Sequence, residues 1–196
     1  KVTVGFYGTG SFSRIKGICE EILRYAGIDN AKYVAVSTDP TFHPGRCASI
    51  VLSDGTNLGI FGEIDPVTLE NYTFSCPVYV AELDLGYIWE HANLEKSYKP
   101  LPKFPAVSRD FSLVCDEDVE VGTLEEAMSS CGVKILESIT LFDVYRGSQL
   151  PEGKKSVSFS VMLRAADHTL TVDEADKATK KILGALEHKL GVTIRS

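Results

Sequence analysis

Between Ser156 and Arg164 the side chains alternate without a break. Val157, Phe159, Val161 and Leu163 fall on one side, and Ser156, Ser158, Ser160, Met162 and Arg164 on the other. A period of two marks a strand with one buried face. This stretch therefore demands a sheet with an apolar layer on one side and a small, polar surface on the other. Its neighbours supply the rest of a small domain. Arg109 to Asp116 and Ile135 to Tyr145 read as strands. Thr123-Leu124-Glu125-Glu126 fits a capping box opening a helix that Gly132 ends. A second box, Thr171-Val172-Asp173-Glu174, opens a long helix with Ala175, Thr179, Ile182, Leu186 and Leu190 on its buried side. Acids stand in its first turns, His188 and Lys189 in its last, and Gly191 ends it, an order that suits the helix dipole. Val192 to Ile194 can add a short last strand. The order β-α-β-β-α-β is the split βαβ unit of ferredoxin-like folds, with two helices on one face of an antiparallel sheet.

Residues 1–92 alternate strand-like and helix-like pieces in an α+β pattern. Val2 to Phe6 reads as a strand, Gly8-Thr9-Gly10-Ser11 as a turn, and Phe12 to Ala26 as a helix stopped by Gly27. Tyr33 to Val36, Ala48 to Leu52, Leu58 to Ile64 and Val78 to Leu85 read as strands, with turns at Asp54-Gly55 and Asp65-Pro66. Three prolines, Pro100, Pro102 and Pro105, follow in a stretch with little apolar periodicity. Proline fixes φ and removes a donor, so residues 93–102 read as an extended linker between domains 1–92 and 103–196.

Composition narrows the function. With 44% hydrophobic and 24% charged residues the 196-residue chain is an ordinary globular one. No apolar run approaches the roughly 20 residues of a membrane span, so no membrane partner is expected. The opening residues carry neither an initiator Met nor a signal-peptide core and read as the interior of a longer chain. Lys and Arg total 20 against 27 Asp and Glu, a net charge of −7. Any nucleic-acid contact must therefore come from a local patch. Five widely spaced cysteines, with no C-x-x-C pair, read as free thiols in a reducing cytoplasm.

Motifs for chemistry are sparse. The glycine loop at 8–11 lacks the P-loop and G-x-G-x-x-G patterns and reads as a strand-to-helix turn. Phe42-His43-Pro44-Gly45-Arg46 sets an imidazole and a guanidinium at a Pro-Gly turn with no readable carboxylate partner. His43, His91, His168 and His188 are too scattered for a metal signature, and no catalytic residue is assigned. The densest cations beside the expected open sheet face are Arg146, Lys154, Lys155 and Arg164, with Arg109 at the start of the neighbouring strand. With the hydroxyl of Ser156 they form the candidate RNA-binding set, Lys154 and Lys155 reaching outward from the loop. Strand 156–164 itself carries no outward aromatic for base stacking.

Several segments carry a family resemblance. Residues 103–113 (KFPAVSRDFSL), 141–147 (LFDVYRG), 150–156 (LPEGKKS), 167–171 (DHTLT) and 190–195 (LGVTIR) resemble the ferredoxin-fold anticodon-binding domain. Ile15-Lys16-Gly17, Phe42 to Arg46 and Leu58 to Pro66 are similar to the preceding part of the bacterial phenylalanine–tRNA ligase β-subunit family. The resemblance implies a partial class II synthetase-like mixed α/β domain without its own active site, followed by the anticodon-binding domain. It implies a C-terminal portion that binds the anticodon arm of tRNA(Phe) and supports the catalytic α subunit of a cytoplasmic α2β2 enzyme. ATP and Mg2+ would serve the whole enzyme, with no cofactor in this portion. The class II R-x-E and G-x-G-x-G-x-[ED]-R motifs are absent, and Gly59-Ile60-Phe61-Gly62-Glu63 lacks the arginine. A contact surface for the α subunit implies an exposed apolar patch on residues 1–92. The rival reading is a small-ligand-binding regulatory module built on the ferredoxin-like half.

Overall fold

A computed structural model describes residues 1–95, 98 and 100–195. Of the expected linker, Lys96, Ser97 and Lys99 lie outside the described residues, as does Ser196 of the expected second domain. The chain divides into two compact units, Lys1–Tyr98 and Lys99–Ser196.

The first unit holds β1 (Val2–Tyr7), α1 (Phe12–Tyr25), β2 (Lys32–Ala35), β3 (Phe42–Val51), β4 (Asn57–Ile64), α2 (Pro66–Asn71), β5 (Val78–Leu83) and α3 (Leu85–His91). Its five strands form one sheet in the order β1-β5-β4-β3-β2, every pair antiparallel. The apolar stripe of α1, Ile15, Cys19 and Leu23, shares a core with Ile50, Phe61, Ala81 and Leu83. Ser11 caps α1 by accepting from the Arg14 N–H, as a strand-to-helix turn requires. Gly10 is fixed by packing: a Cβ there would run into the Phe6 ring, which stacks on Tyr79.

Two short helices were not foreseen. Asp65-Pro66 is not merely a turn but the start of α2, where Asp65 accepts from the Val67 N–H and Pro66 takes the first helical position. Asp84 caps α3 in the same way, so Leu85 belongs to a helix and not to the preceding strand. Phe42 to Arg46 is likewise part of β3. Phe42 pairs with Ile64 and Cys47 with Gly62, so four residues bulge opposite Glu63. Arg46 reaches that carboxylate with both Oε1 and Oε2 in range, at 2.9 and 2.7 Å. The partner that local sequence did not reveal lies 17 residues away, on the adjacent strand.

The second unit runs β6 (Val107–Asp116), α4 (Val121–Ser129), β7 (Leu136–Tyr145), β8 (Lys154–Leu163), α5 (Val172–Leu190) and β9 (Thr193–Ile194). The sheet order β7-β8-β6-β9 is antiparallel throughout, as the ferredoxin-like reading expects. Leu113, Val157, Phe159, Val161 and Leu163 meet Leu124 and Met128 of α4 and Ala175, Ala178, Ile182 and Leu186 of α5. The first expected capping box does not form. Glu120 is the N-cap of α4, without a side-chain cap bond, and Thr123 already lies inside the helix. The second forms in full: Thr171 Oγ1 accepts from the Glu174 N–H, and Glu174 accepts from the Thr171 N–H.

That box is linked to protonation. His168 sits between Asp167 (2.7 Å) and Glu174 (3.1 Å). The hydrogen bond to Asp167, then that to Glu174, raises its pKa above the ordinary 6.5. The Thr171 backbone bond leads in holding Glu174 down at about 2, against an ordinary 4.5. The His168 contribution is therefore complete below its unfolded pKa and lost as pH rises through its higher folded value. The Glu174 contribution is present above its unfolded pKa and lost as pH falls towards about 2. Amide exchange in the first turn of α5 is expected to quicken as pH rises past the His168 titration, after correction for intrinsic exchange. His168→Gln should remove that dependence. Thr171→Ala is expected to cost about 0.5–2 kcal/mol in denaturant titrations.

Candidate functional site

Helices α4 and α5 pack on one face of the second sheet, and among the described residues no helix lies over the other. Directly opposed residues of antiparallel strands share a face, so the register assigns its occupants. Asp116, Val114, Ser112, Asp110 and Ser108 on β6 face Lys154, Ser156, Ser158, Ser160 and Met162 on β8. The serines bond to one another, Ser112 to Ser158 at 2.7 Å and Ser108 to Ser160 at 3.1 Å.

β7 joins this face in an unforeseen way. Leu141 opposes Phe159 on the helix side, yet Asp143 opposes Ser158 and Tyr145 opposes Ser156. Two steps on β7 match one on β8, so Phe142 is the extra residue of a bulge. Simple alternation from Ile139 and Leu141 would bury Asp143 and Tyr145 against the helices. The bulge turns them outward and sends Val144 inward, opposite Val157. The break in alternation, Ile139 and Leu141 followed by Val144, was the sequence signal for this shift. Strand β8 bears no outward aromatic, but its neighbour places one beside Ser156. Gly147 makes room for the phenol, since a Cβ there would lie 2.3 Å from Tyr145 Oη.

Ser156 is 1% exposed, and its Oγ is buried without a hydrogen-bond partner. A buried unmade hydroxyl bond is costly. In the register Ser156 stands between Tyr145 and Val114, on the face away from the helices.

The five candidate cations are not one free patch. Arg109 opposes Val161, which puts it on the helix side, and it pairs with Asp176 of α5 at 3.0 Å. Lys155 opposes Cys115, also on the helix side, is 6% exposed, and donates from Nζ to the Glu117 carbonyl at 2.8 Å. Its expected outward reach is thus corrected: the residue opposes a core cysteine and buries its stem. Arg164 is held by Glu137 (2.9 Å) and the Phe104 carbonyl, at the far end of β8 from Ser156. Lys154 shares the Ser156 face, and Arg146 follows Tyr145 at the same end of the sheet. They pair with Asp116 at 2.7 Å and Glu117 at 2.5 Å, through partly exposed groups that water screens and a phosphate can replace. Sequence reasoning did not include Arg195, whose guanidinium lies over the Tyr145 ring at 4.8 Å.

The β4 glycines serve packing: a Cβ on Gly59 would strike the Glu82 carbonyl and Leu83, and one on Gly62 the Arg46 carbonyl. Among the described residues there is no group of three or more His, Cys, Asp and Glu placed to hold a metal, and no helix long and apolar enough to cross a membrane. All five cysteines are free thiols, with Cys19, Cys47 and Cys115 buried.

A ferredoxin-like sheet with one uncovered polar face, an outward aromatic and flanking cations has the features of an RNA-contacting module. Comparison with known proteins agrees. Residues 102–195 match the family described as ferredoxin-fold anticodon binding domain, and residues 7–85 match the phenylalanyl tRNA synthetase beta chain CLM domain. The chain is 43% identical over 194 residues to a phenylalanine–tRNA ligase beta subunit of Clostridium tetani, covering 99% of this chain and 24% of the relative. The corresponding protein of Clostridium acetobutylicum is 42% identical with the same coverage, and that of Bacillus subtilis 38% over 184 residues, 94% of this chain and 23% of the relative. The chain belongs to the phenylalanine–tRNA ligase β-subunit family. It spans about a quarter of the length of these relatives. The anticodon-binding description supports the translation reading over the regulatory-module reading.

Proposed function

We propose that this chain is the tRNA-reading portion of a phenylalanine–tRNA ligase β subunit, and that the uncovered sheet face receives the anticodon arm of tRNA(Phe). The observation that carries this is the pairing of Tyr145 with the buried, unpartnered hydroxyl of Ser156. An unstacked base lies flat on the phenol ring and brings a polar edge to the hydroxyl. Asp143, opposite Ser158 on the same face, adds an acceptor for a base amino or imino group. Lys154 and Arg146 trade their carboxylates for backbone phosphates. Lys155, Arg109 and Arg164 keep the fold around this face.

Residues 1–92 act as the synthetase-like support, residues 93–102 as the linker and residues 103–196 as the anticodon-binding domain. Exposed Tyr7, Tyr25, Tyr72 and Trp89, each more than 70% exposed, support a contact of the first unit with the α subunit of an α2β2 enzyme. Phenylalanine attachment with ATP and Mg2+ belongs to that partner, in the cytoplasm. The isolated chain should form no phenylalanyl-adenylate.

The test is binding of the chain to a tRNA(Phe) anticodon stem–loop, followed by anisotropy, against a duplex RNA of equal length. The stem–loop is expected to bind and the duplex to bind weakly. Lys154→Ala should lower the slope of log affinity against log salt by about one unit with folding unchanged. Equal affinity for loop and duplex would reject the stacking reading. Lys155 is unsuited to such a test, because its removal leaves the Glu117 carbonyl without its donor.

A further inference from the structure

Arg195 donates its backbone N–H to the Ser112 carbonyl at 2.8 Å, which places it beside β6 on the side away from β8. Its guanidinium nevertheless lies over the Tyr145 ring on β7 and donates to Gln149 Oε1 at 2.9 Å. The Arg195 and Tyr145 side chains therefore meet from opposite sides of the two strands, β6 and β8, that separate their backbones in the sheet. The ring face that a base would use is already covered, and Gln149 holds the cover in place. Resting on the proposed use of this face, we propose that Arg195 is a displaceable lid latched by Gln149. In the free chain it closes Tyr145 and shields the Ser156 hydroxyl. An incoming unstacked nucleobase takes the ring, and the released guanidinium turns to that nucleotide's phosphate.

The contact is suited to this exchange. A cation over a partly exposed ring and one exposed hydrogen bond are both weak and local. A base offers the same ring a larger flat surface, and its phosphate offers the guanidinium a full charge. A latch that holds the closed form reduces apparent affinity by the fraction of molecules that are open. Gln149 carries no charge, so its loss changes the latch and leaves the electrostatics of the face as they are.

The experiment uses the full chain and the tRNA(Phe) anticodon stem–loop. Gln149→Ala is expected to tighten binding about twofold to fivefold, mainly through faster association, with the salt slope unchanged. The Arg195 Hδ resonances should be shifted upfield by the Tyr145 ring in the free chain and return towards ordinary values when the stem–loop is added. Unchanged or weaker binding by Gln149→Ala, or Hδ resonances that stay upfield in the complex, would overturn the lid. Tyr145→Leu separates the two ideas. If it weakens binding while Gln149→Ala does nothing, the face binds RNA and the lid is wrong. If it leaves binding unchanged, the site itself fails and the lid with it.

Discussion

Tyr145→Leu is expected to weaken binding of the anticodon stem–loop by about tenfold to a hundredfold. Loss of one base–aromatic stack costs about 1–3 kcal/mol, and each 1.4 kcal/mol is a factor of ten. The ring stands on the uncovered face and contributes nothing to the helix-side core. Its loss should therefore spare the fold, with a denaturation midpoint close to that of the parent. Gly147→Ala should act in the same direction without touching the ring chemically. The new methyl would stand 2.3 Å from the phenol oxygen and push the ring off its position. A binding loss for Tyr145→Leu accompanied by an equal loss of stability would mean that the residue is structural. Full affinity in both variants would move the RNA contact elsewhere.

The second large effect is on stability. Phe159 is fully buried at the centre of β8, between β6 and β7 and beneath the helices. Phe159→Ala is expected to cost about 3–5 kcal/mol, through lost transfer energy and the cavity left behind. That is a large share of the 5–15 kcal/mol that holds a domain of this size together. The first unit has its own core around Phe61, Ile50 and Leu83. Hydrogen exchange read by mass spectrometry should show faster exchange through β6 to β9 and the two helices that cover them, with β3 to β5 unaffected. Equal loss of protection in both units would contradict independent cores.

Where local chemistry decides structure, sequence reading succeeds. The limits of α5 follow from Thr171, Glu174 and Gly191, because the cap bonds join residues three and four apart. The buried side of β8 follows from strict alternation. Reading fails where a distant residue decides. Glu63 completes Arg46 across a strand pair, and nothing near Arg46 in the chain announces it. Lys155 looks like a loop cation until the register sets it opposite Cys115, within reach of the Glu117 carbonyl. Thr123 and Glu126 have the capping spacing, but packing of Leu124, Ala127 and Met128 goes with a helix that starts three residues earlier. The short helices α2 and α3 were legible in principle, since an Asp precedes each and Pro66 opens the first. Their few residues left no periodicity to notice. Of the candidate site, Ser156 and the nearby cations could be read from the chain. Tyr145 and Arg195 required the sheet order that brings β7, β8, β6 and β9 side by side.

The bulge at Phe142 makes β7 a strand whose length carries as much information as its composition. Phe142 is 58% exposed, so its side chain can be exchanged for many others at little cost. Removing the residue altogether is a different matter. With Leu141 still held opposite Phe159, every position beyond it would turn over. Asp143 and Tyr145 would be driven towards the helices and Val144 out into water. A one-residue deletion would thus erase the reading surface and bury an acid, whereas most substitutions at the same point would go unnoticed. Relatives of this chain should therefore vary freely in what stands at this position, while the count of residues from Leu141 to Tyr145 stays fixed.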